Sequence, residues 1–158
     1  SYGMVDGDSA SMAELCALLS TLANVPIRQG FAITGSVNQH GQAQGIGGAT
    51  EKIEGFYDVC SSIGLTGDQA VLIPASNVKH LMLRPDVLEA VDQGKFAVHT
   101  YNNVHEAVQL LTGIEAGERN TDGSYPPDTV NFLVDKRLHE LSDTQRNFSK
   151  DSKASDDE

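Results

Sequence analysis

The chain has 158 residues, a length that predicts one domain, and 39% of its residues are hydrophobic, which is enough for a core. Its 22 acidic side chains outnumber the 11 Lys and Arg, so the formal net charge is -11. That balance argues against a surface for nucleic acid or anionic membranes, because both need clustered Lys and Arg. The sequence contains no run of about 18 apolar residues, so no membrane span is predicted.

The first predicted element is a helix over residues 9–23, where apolar residues recur at i, i+3, i+4 and i+7. Asp8 or Ser9 is suited to be its N-cap, because a short polar side chain can accept from the first free N–H groups. Residues 30–37 follow as a short buried strand bounded by glycines.

A polar, glycine-rich connection at 40–48 leads into a second predicted helix over residues 49–63. The next elements are a strand, two short helices, a strand and a compact helix, at 69–75, 76–83, 86–93, 95–101 and 103–111. Helices and strands therefore alternate, which predicts an α/β fold with helices layered on a sheet (an α+β layering).

The composition changes near residue 114. We expect a domain over residues 1–114 and an acidic, flexible tail over residues 115–158, in which charged and small polar residues dominate. Within the tail, only residues 127–141 have the pattern of a weakly amphipathic helix.

The two cysteines, Cys16 and Cys60, fall inside helical patterns and form no CxxC or metal-ligand spacing. We expect both to be free thiols in a reducing compartment, the cytoplasm. The five histidines also lack metal-ligand spacing, and we predict neither a metal site nor a cofactor-binding residue in this chain.

Two motif matches are incomplete. Gly30 and Gly35 have the spacing of a phosphate-binding loop, but Ser36 stands where that loop needs its lysine. Ser76 and Lys79 form an SxxK sequence, which serves acyl transfer in some enzymes, but its companion motifs KTG and SDN are absent. Ser76 follows a strand end, where serine is a natural helix N-cap.

A pair of residues better suited to chemistry is Ser9 with Lys52. A serine hydroxyl needs a base, and lysine is a base only where its surroundings lower its pKa. Ser9 lies at a predicted helix start, where backbone N–H groups can stabilise an oxyanion. Lys52, the only lysine in the first 78 residues, lies in the first turns of the second helix, where we expect a largely apolar setting.

Four motifs in family order carry a resemblance that covers roughly residues 2–112. The chain resembles the proteolytic domain of the Lon proteases, Ser-Lys peptidases joined to an AAA+ ATPase, in the subgroup with DGDSAS rather than DGPSAG. The motifs are DGDSAS at 6–11, ITGSVNQHGQAQGIGG at 33–48, EKIEGF at 51–56 and VLIPASNV at 71–78.

The resemblance implies the roles of the central residues. Ser9 would be the nucleophile and Lys52 the general base. Thr34 aligns with a family threonine that hydrogen-bonds the lysine ammonium. The backbone N–H groups of Ser9 and Ala10 would form the oxyanion site.

Asp6 and Asp8 match acidic positions of the same subgroup. A carboxylate beside the pair can hold the lysine charged and away from the serine, which would make the site latent. This hypothesis predicts that Asp8→Asn changes the peptidase rate or its pH profile. The alternative is a purely structural role, in which both carboxylates only interact favourably with the helix dipole.

The resemblance also implies the fold and partners. The fold would be the C-terminal part of a Lon-type domain, ribosomal-protein-S5-domain-2-like, and truncated at its N-terminus because the family carries strands upstream. Substrates would be unfolded or damaged polypeptides, delivered by an ATPase module absent from this chain, which would use the ATP. The full-length protein would be a homo-hexamer. Gly45 stands where the family usually has proline, which would loosen the loop before Lys52.

Two other functions remain open from the sequence. The domain could be a noncatalytic scaffold that assembles an AAA+ ATPase, since such domains share the fold. Alternatively, Ser76 and Lys79 could form the acyl-transfer pair of an SxxK enzyme.

Overall fold

The structure, a computed structural model, describes the backbone of residues 7–155 and the side chains of residues 7–148. Five α-helices and five strands lie within residues 7–155, and a 3₁₀ helix at Ala75–His80 lies between the fourth strand and the third α-helix. The elements are α1 Ser11–Ala23, β1 Phe31–Ile33, β2 Ser36–Val37, β3 Ala43–Gln44, α2 Ala49–Ile63, β4 Ala70–Pro74, α3 Pro85–Asp92, β5 Ala97–Tyr101, α4 Val104–Thr112 and α5 Val130–Ser155. The predicted α/β fold is confirmed.

The main sheet is parallel, with strand order β1–β4–β5. Its register pairs Ile33 of β1 with Leu72 of β4, and Leu72 with His99 of β5. Each parallel pair is joined by a crossover that contains a helix, as parallel pairing requires. Strands β2 and β3 form a separate antiparallel pair that lies between β1 and α2 in the chain.

Strand β4 is the centre of the core, because it is buried on both faces. Leu72 packs in a cluster with α1, α4 and α5, whereas Val71 and Ile73 pack in a cluster with α2 and α3. This alternation follows the two-residue period of a strand. The molecule therefore has three layers, helices on both sides of one sheet.

Both cysteines are free and buried, as expected. Cys16 is fully buried on α1, and burial raises the pKa of its thiol to about 11. Burial also raises the pKa of Cys60 on α2.

The strand predicted over 30–37 is divided in two, since β1 ends at Ile33 and β2 begins at Ser36. Between them, Gly35 has φ +157° and lies against Tyr101, so closely that a Cβ at this position would overlap the tyrosine hydroxyl. Glycine alone fits this close approach, and the chain turns there instead of continuing along the sheet.

The predicted N-caps are wrong. Helix α1 begins at Ser11 with Ala10 as its N-cap, and no side chain caps it. The Asp8 carboxylate accepts instead from the Ser36 hydroxyl, a partner that lies far along the chain. Ser76 likewise caps nothing, because it lies inside the 3₁₀ helix, which has no side-chain cap.

The expectation of a flexible segment after residue 114 is wrong for the start of α5. Val130 and Val134, one helical turn apart, are 0% and 9% exposed, and they pack in the cluster that contains α1 and α4. Two valines spaced by four residues form an apolar face that suffices to dock this turn. The helix also runs beyond the predicted 127–141, although residues 135–148 are exposed.

No helix in the described part of the chain is long and apolar enough to cross a membrane.

Candidate active site

Ser9 and Lys52 come together at the carboxyl end of β1. Ser9 lies in a turn two residues before α1, and Lys52 lies in the first turn of α2. The Lys52 Nζ donates a hydrogen bond of 2.8 Å to the Ser9 Oγ. This is the distance that proton transfer between a nucleophile and its base requires.

Thr34, the residue directly after β1, joins the two. Its hydroxyl accepts from the Lys52 Nζ at 3.2 Å and donates to the Ser9 carbonyl at 3.2 Å. Thr34 is 8% exposed, so its hydroxyl has little freedom to turn to water. The structure therefore places Thr34 in contact with Lys52, where the resemblance implies it to be.

The turn that carries Ser9 is held by β1 as well. The Gly35 N–H donates to the Ser9 carbonyl at 2.8 Å, and the Met12 N–H donates to the Gly35 carbonyl at 3.2 Å. Within residues 7–148, neither the Ser9 N–H nor the Ala10 N–H donates a hydrogen bond. Both donors are thus available to an oxyanion beside the Ser9 hydroxyl.

The setting of Lys52 differs from the apolar one expected, because its side chain is exposed. The residues just before α2 include Gly47 and Gly48, which have no side chain to cover it. Among residues 7–148, no acidic side chain forms an ion pair with Lys52. A lysine can accept a serine proton only as the neutral amine.

Asp8 faces a different partner from the one the latency hypothesis needs. Its carboxylate accepts from the Ser36 hydroxyl, and that hydroxyl also lies 3.1 Å from the Gln44 Oε1. Ser36 is 2% exposed, whereas Asp8 is exposed. Asp8 therefore ties the Ser9 turn to β2, and no hydrogen bond or ion pair between Asp8 and Lys52 is observed. Asp6 lies outside the described residues.

Ser11 is not equivalent to Ser9. The Ser11 Oγ accepts from the Val37 N–H at 3.1 Å, which fixes α1 to β2. The other sequence candidate, Ser76, has no hydrogen bond to Lys79 within residues 7–148, and its hydroxyl packs against Gly45. The site geometry thus favours Ser9 among these three serines.

Two supporting residues escape sequence reasoning. Tyr101 at the end of β5 donates from its buried hydroxyl to the Thr34 carbonyl at 2.8 Å, and burial raises the pKa of Tyr101, which keeps it a donor. Asn77 holds both backbone groups of Ile46, in the loop before Lys52. Neither residue is near Ser9 in the sequence, and only the motif VLIPASNV could have drawn attention to Asn77.

Comparison with known families gives the class of protein. Residues 4–112 match the family described as the Lon protease (S16) C-terminal proteolytic domain, which is more than half of the chain. The chain therefore belongs to this family, and the resemblance drawn from its motifs is confirmed.

Relatives carry the same name. The chain is 54% identical over 114 residues to the "Putative Lon protease homolog" of Escherichia coli (strain K12), and the match covers 72% of this chain and 20% of that protein. The protein of that name in Haemophilus influenzae is 40% identical over 146 residues, which cover 92% of this chain and 24% of the relative. The "Archaeal Lon protease" of Thermococcus kodakarensis is 39% identical over 117 residues, which cover 74% and 17%. The chain thus spans about a fifth of these relatives.

Proposed function

We propose that this chain is the serine endopeptidase domain of an ATP-dependent Lon-like protease, with Ser9 and Lys52 as a catalytic dyad. The observation that carries the proposal is the 2.8 Å hydrogen bond between the Lys52 Nζ and the Ser9 Oγ. Family membership supports the class of reaction, and the contact supports the choice of residues.

In this mechanism the neutral Lys52 amine takes the proton of the Ser9 hydroxyl as the Oγ attacks a peptide carbonyl. The N–H groups of Ser9 and Ala10 stabilise the oxyanion. Lys52 then gives the proton to the leaving amine, and an acyl-enzyme on Ser9 remains. Water, deprotonated by the same lysine, hydrolyses the ester and restores Ser9.

The partners follow from the family. We propose that unfolded or damaged polypeptides are the substrates, and that an AAA+ ATPase module of the full-length protein delivers them at the cost of ATP. The assembly would be a homo-hexamer in the cytoplasm. On this view the chain itself needs no cofactor or metal, because lysine supplies the base and backbone donors supply the charge stabilisation.

A noncatalytic scaffold is the second candidate, and one observation favours it. Lys52 is exposed in the described part of the chain, whereas a lysine base needs surroundings that favour its neutral form. In that case the domain would only assemble or position the ATPase. A Ser9→Ala variant of the full-length protein would then degrade substrates as fast as wild type.

Labelling with a fluorophosphonate, followed by peptide mapping, separates the candidates. The dyad predicts modification at Ser9 that is lost in Ser9→Ala. Modification at Ser76, abolished by Lys79→Gln, would identify an SxxK enzyme instead. If neither Ser9 nor Ser76 is labelled, the result would support the scaffold and contradict the proposed function.

A further inference from the structure

The segment that places Lys52 has little structure of its own. Strand β3 ends at Gln44 and α2 begins at Ala49, and three of the four residues between them are glycines. Gly48 adopts φ +69° as the N-cap of α2, and no side chain caps the helix. Glycine has no Cβ and adopts a wider range of backbone angles than other residues. A loop with three glycines therefore needs contacts from other elements to hold one conformation.

Asn77 supplies that contact through both polar atoms of its side chain. The Ile46 N–H donates to the Asn77 Oδ1 at 3.1 Å, and the Asn77 Nδ2 donates to the Ile46 carbonyl at 2.7 Å. The side-chain amide thus pairs with Ile46 much as a neighbouring strand would. Asn77 is 7% exposed, so water has little access to compete for these bonds.

The other side of the contact adjoins the core. Asn77 lies in the 3₁₀ helix Ala75–His80, which follows directly on β4, the strand buried on both faces. Gly45 also approaches this helix closely, since a Cβ at Gly45 would lie 2.9 Å from the Ser76 Oγ. The glycine that was expected to loosen the loop therefore lets it lie against the 3₁₀ helix, where Asn77 reaches Ile46.

We propose that Asn77 is a positioning residue, which holds the loop before α2 and thereby sets the distance between the Lys52 amine and the Ser9 hydroxyl. The inference rests on the proposed function. Its mechanical path is short, because the Lys52 N–H donates to the Gly48 carbonyl at 3.1 Å, two residues after Ile46. A displacement of about 1 Å at a catalytic group can lower a rate by about 100-fold.

The alternative is that the buried side chains of α2 alone fix Lys52. Ile53 is fully buried and Tyr57 is 9% exposed, both in the cluster with β4. These residues hold the helix axis, but they follow Lys52 in the chain and leave its first turn attached to the glycine loop. The two accounts differ in what removal of the Asn77 amide does to chemistry at Ser9.

The test measures fluorophosphonate reaction at Ser9 in Asn77→Asp and Asn77→Ala. Asp is isosteric and still accepts from Ile46, but an ionised carboxylate cannot donate to the Ile46 carbonyl. The matched control is Asn131→Asp on α5, which removes a side-chain donor to the Gly117 carbonyl at 2.8 Å, a group that has no part in the Ser9–Lys52 contacts. Amide exchange at Ile46 reports whether the clamp has opened.

Positioning predicts a maximal rate constant of reaction lower by at least about 10-fold in both Asn77 variants, since the base is displaced. The reagent concentration at half-maximal rate and the fraction of protein finally labelled should stay unchanged, and Asn131→Asp should react as wild type. A smaller labelled fraction with an unchanged rate constant would mean that Asn77 serves folding alone, and would overturn the inference. So would wild-type rate constants with fast Ile46 exchange, and in that case the proposed function would stand. If the fluorophosphonate never labels Ser9 in the wild-type protein, both the inference about Asn77 and the proposed function are contradicted.

Discussion

The Thr34 hydroxyl contacts both members of the proposed dyad, the base Lys52 and the nucleophilic residue Ser9. It accepts from Lys52 and donates to the Ser9 carbonyl, so it fixes the base relative to the turn that carries the nucleophile. Tyr101 in turn holds the Thr34 carbonyl from β5. The reacting pair thus depends on contacts to the central sheet.

Thr34→Val replaces the hydroxyl with a methyl group of similar size. We expect the rate constant for reaction of Ser9 with a fluorophosphonate to fall by about 10- to 100-fold, because Lys52 loses its second acceptor and is less well placed. Thr21→Val is the control, since its exposed hydroxyl donates only to the Ala17 carbonyl of its own helix. Equal rate constants for the two variants would show that the Thr34 hydroxyl does not position Lys52.

Gly35→Ala tests the close approach between the β1–β2 turn and Tyr101. The added methyl group would overlap the tyrosine hydroxyl, and φ is +157°. We expect a loss of about 3 kcal/mol in the free energy of unfolding, measured with urea. Gly55→Ala at an exposed position of α2, where a Cβ meets nothing within 4 Å, should instead gain about 0.5–1 kcal/mol. Similar stabilities for the two variants would contradict the packing.

At the scale of elements, α5 combines a docked start with an exposed remainder. Val130 is fully buried in the cluster with α1 and α4, whereas Leu138, two turns later, is 50% exposed. The helix therefore contributes to the core only through its first turns.

The pair Val130→Ala and Leu138→Ala separates these two parts of one helix. Val130→Ala should lower the free energy of unfolding by on the order of 2 kcal/mol, through lost burial and the cavity that remains. Leu138→Ala should change it by less than about 0.5 kcal/mol, as surface substitutions usually do. Urea unfolding checks both. A Val130→Ala variant as stable as Leu138→Ala would mean that α5 does not dock.

The elements also show what a sequence can predict. The bounds of α2 were predicted correctly as 49–63, because helical periodicity and the flanking glycines are local signals. The β2–β3 pair was missed, since two-residue strands have too few side chains for a pattern. The start of α5 was assigned to a flexible tail because its two valines are buried only by packing on α1, and the local sequence does not show that contact.

For the site, the sequence and the family resemblance predicted Ser9, Lys52 and Thr34, and the structure brings these three together. The contacts that hold them could not be predicted. Tyr101 contacts Thr34, 67 residues before it in the chain, and Asn77 contacts Ile46, 31 residues before it. No local pattern in the sequence predicts such pairs. Exposure of Lys52 was also missed, because it depends on which neighbours cover the first turn of α2.

At the scale of the whole molecule, the buried thiol of Cys16 makes stability depend on alkaline pH. Its pKa is about 11 in the folded protein against 9.0 for a free thiol, so only the unfolded chain ionises near pH 9. The folded state has its full stability relative to the unfolded chain below pH 9, where the thiol is neutral in both. As the pH rises towards about 11, ionisation of the thiol in the unfolded chain lowers the free energy of unfolding by about 3 kcal/mol. Burial raises the pKa of Tyr101 too, which adds to the loss above pH 10.

Urea unfolding at pH 8, 9 and 10 measures this dependence. Stability of the wild type should fall between pH 9 and 10, and Cys16→Ala should fall less over the same interval because it has no thiol at this position to ionise. The Ala variant will be less stable at every pH, so the comparison is between slopes. Parallel slopes would contradict the assignment to Cys16.

The most direct test of the Ser9–Lys52 dyad is the rate constant for fluorophosphonate reaction at Ser9 in two lysine variants. Lys52→Gln removes the base 2.8 Å from the Ser9 hydroxyl, whereas Lys79→Gln removes the lysine of the unconnected SxxK sequence. We predict that Lys52→Gln lowers the rate constant by about 100-fold or more and that Lys79→Gln leaves it unchanged. Wild-type reactivity in Lys52→Gln would contradict the dyad.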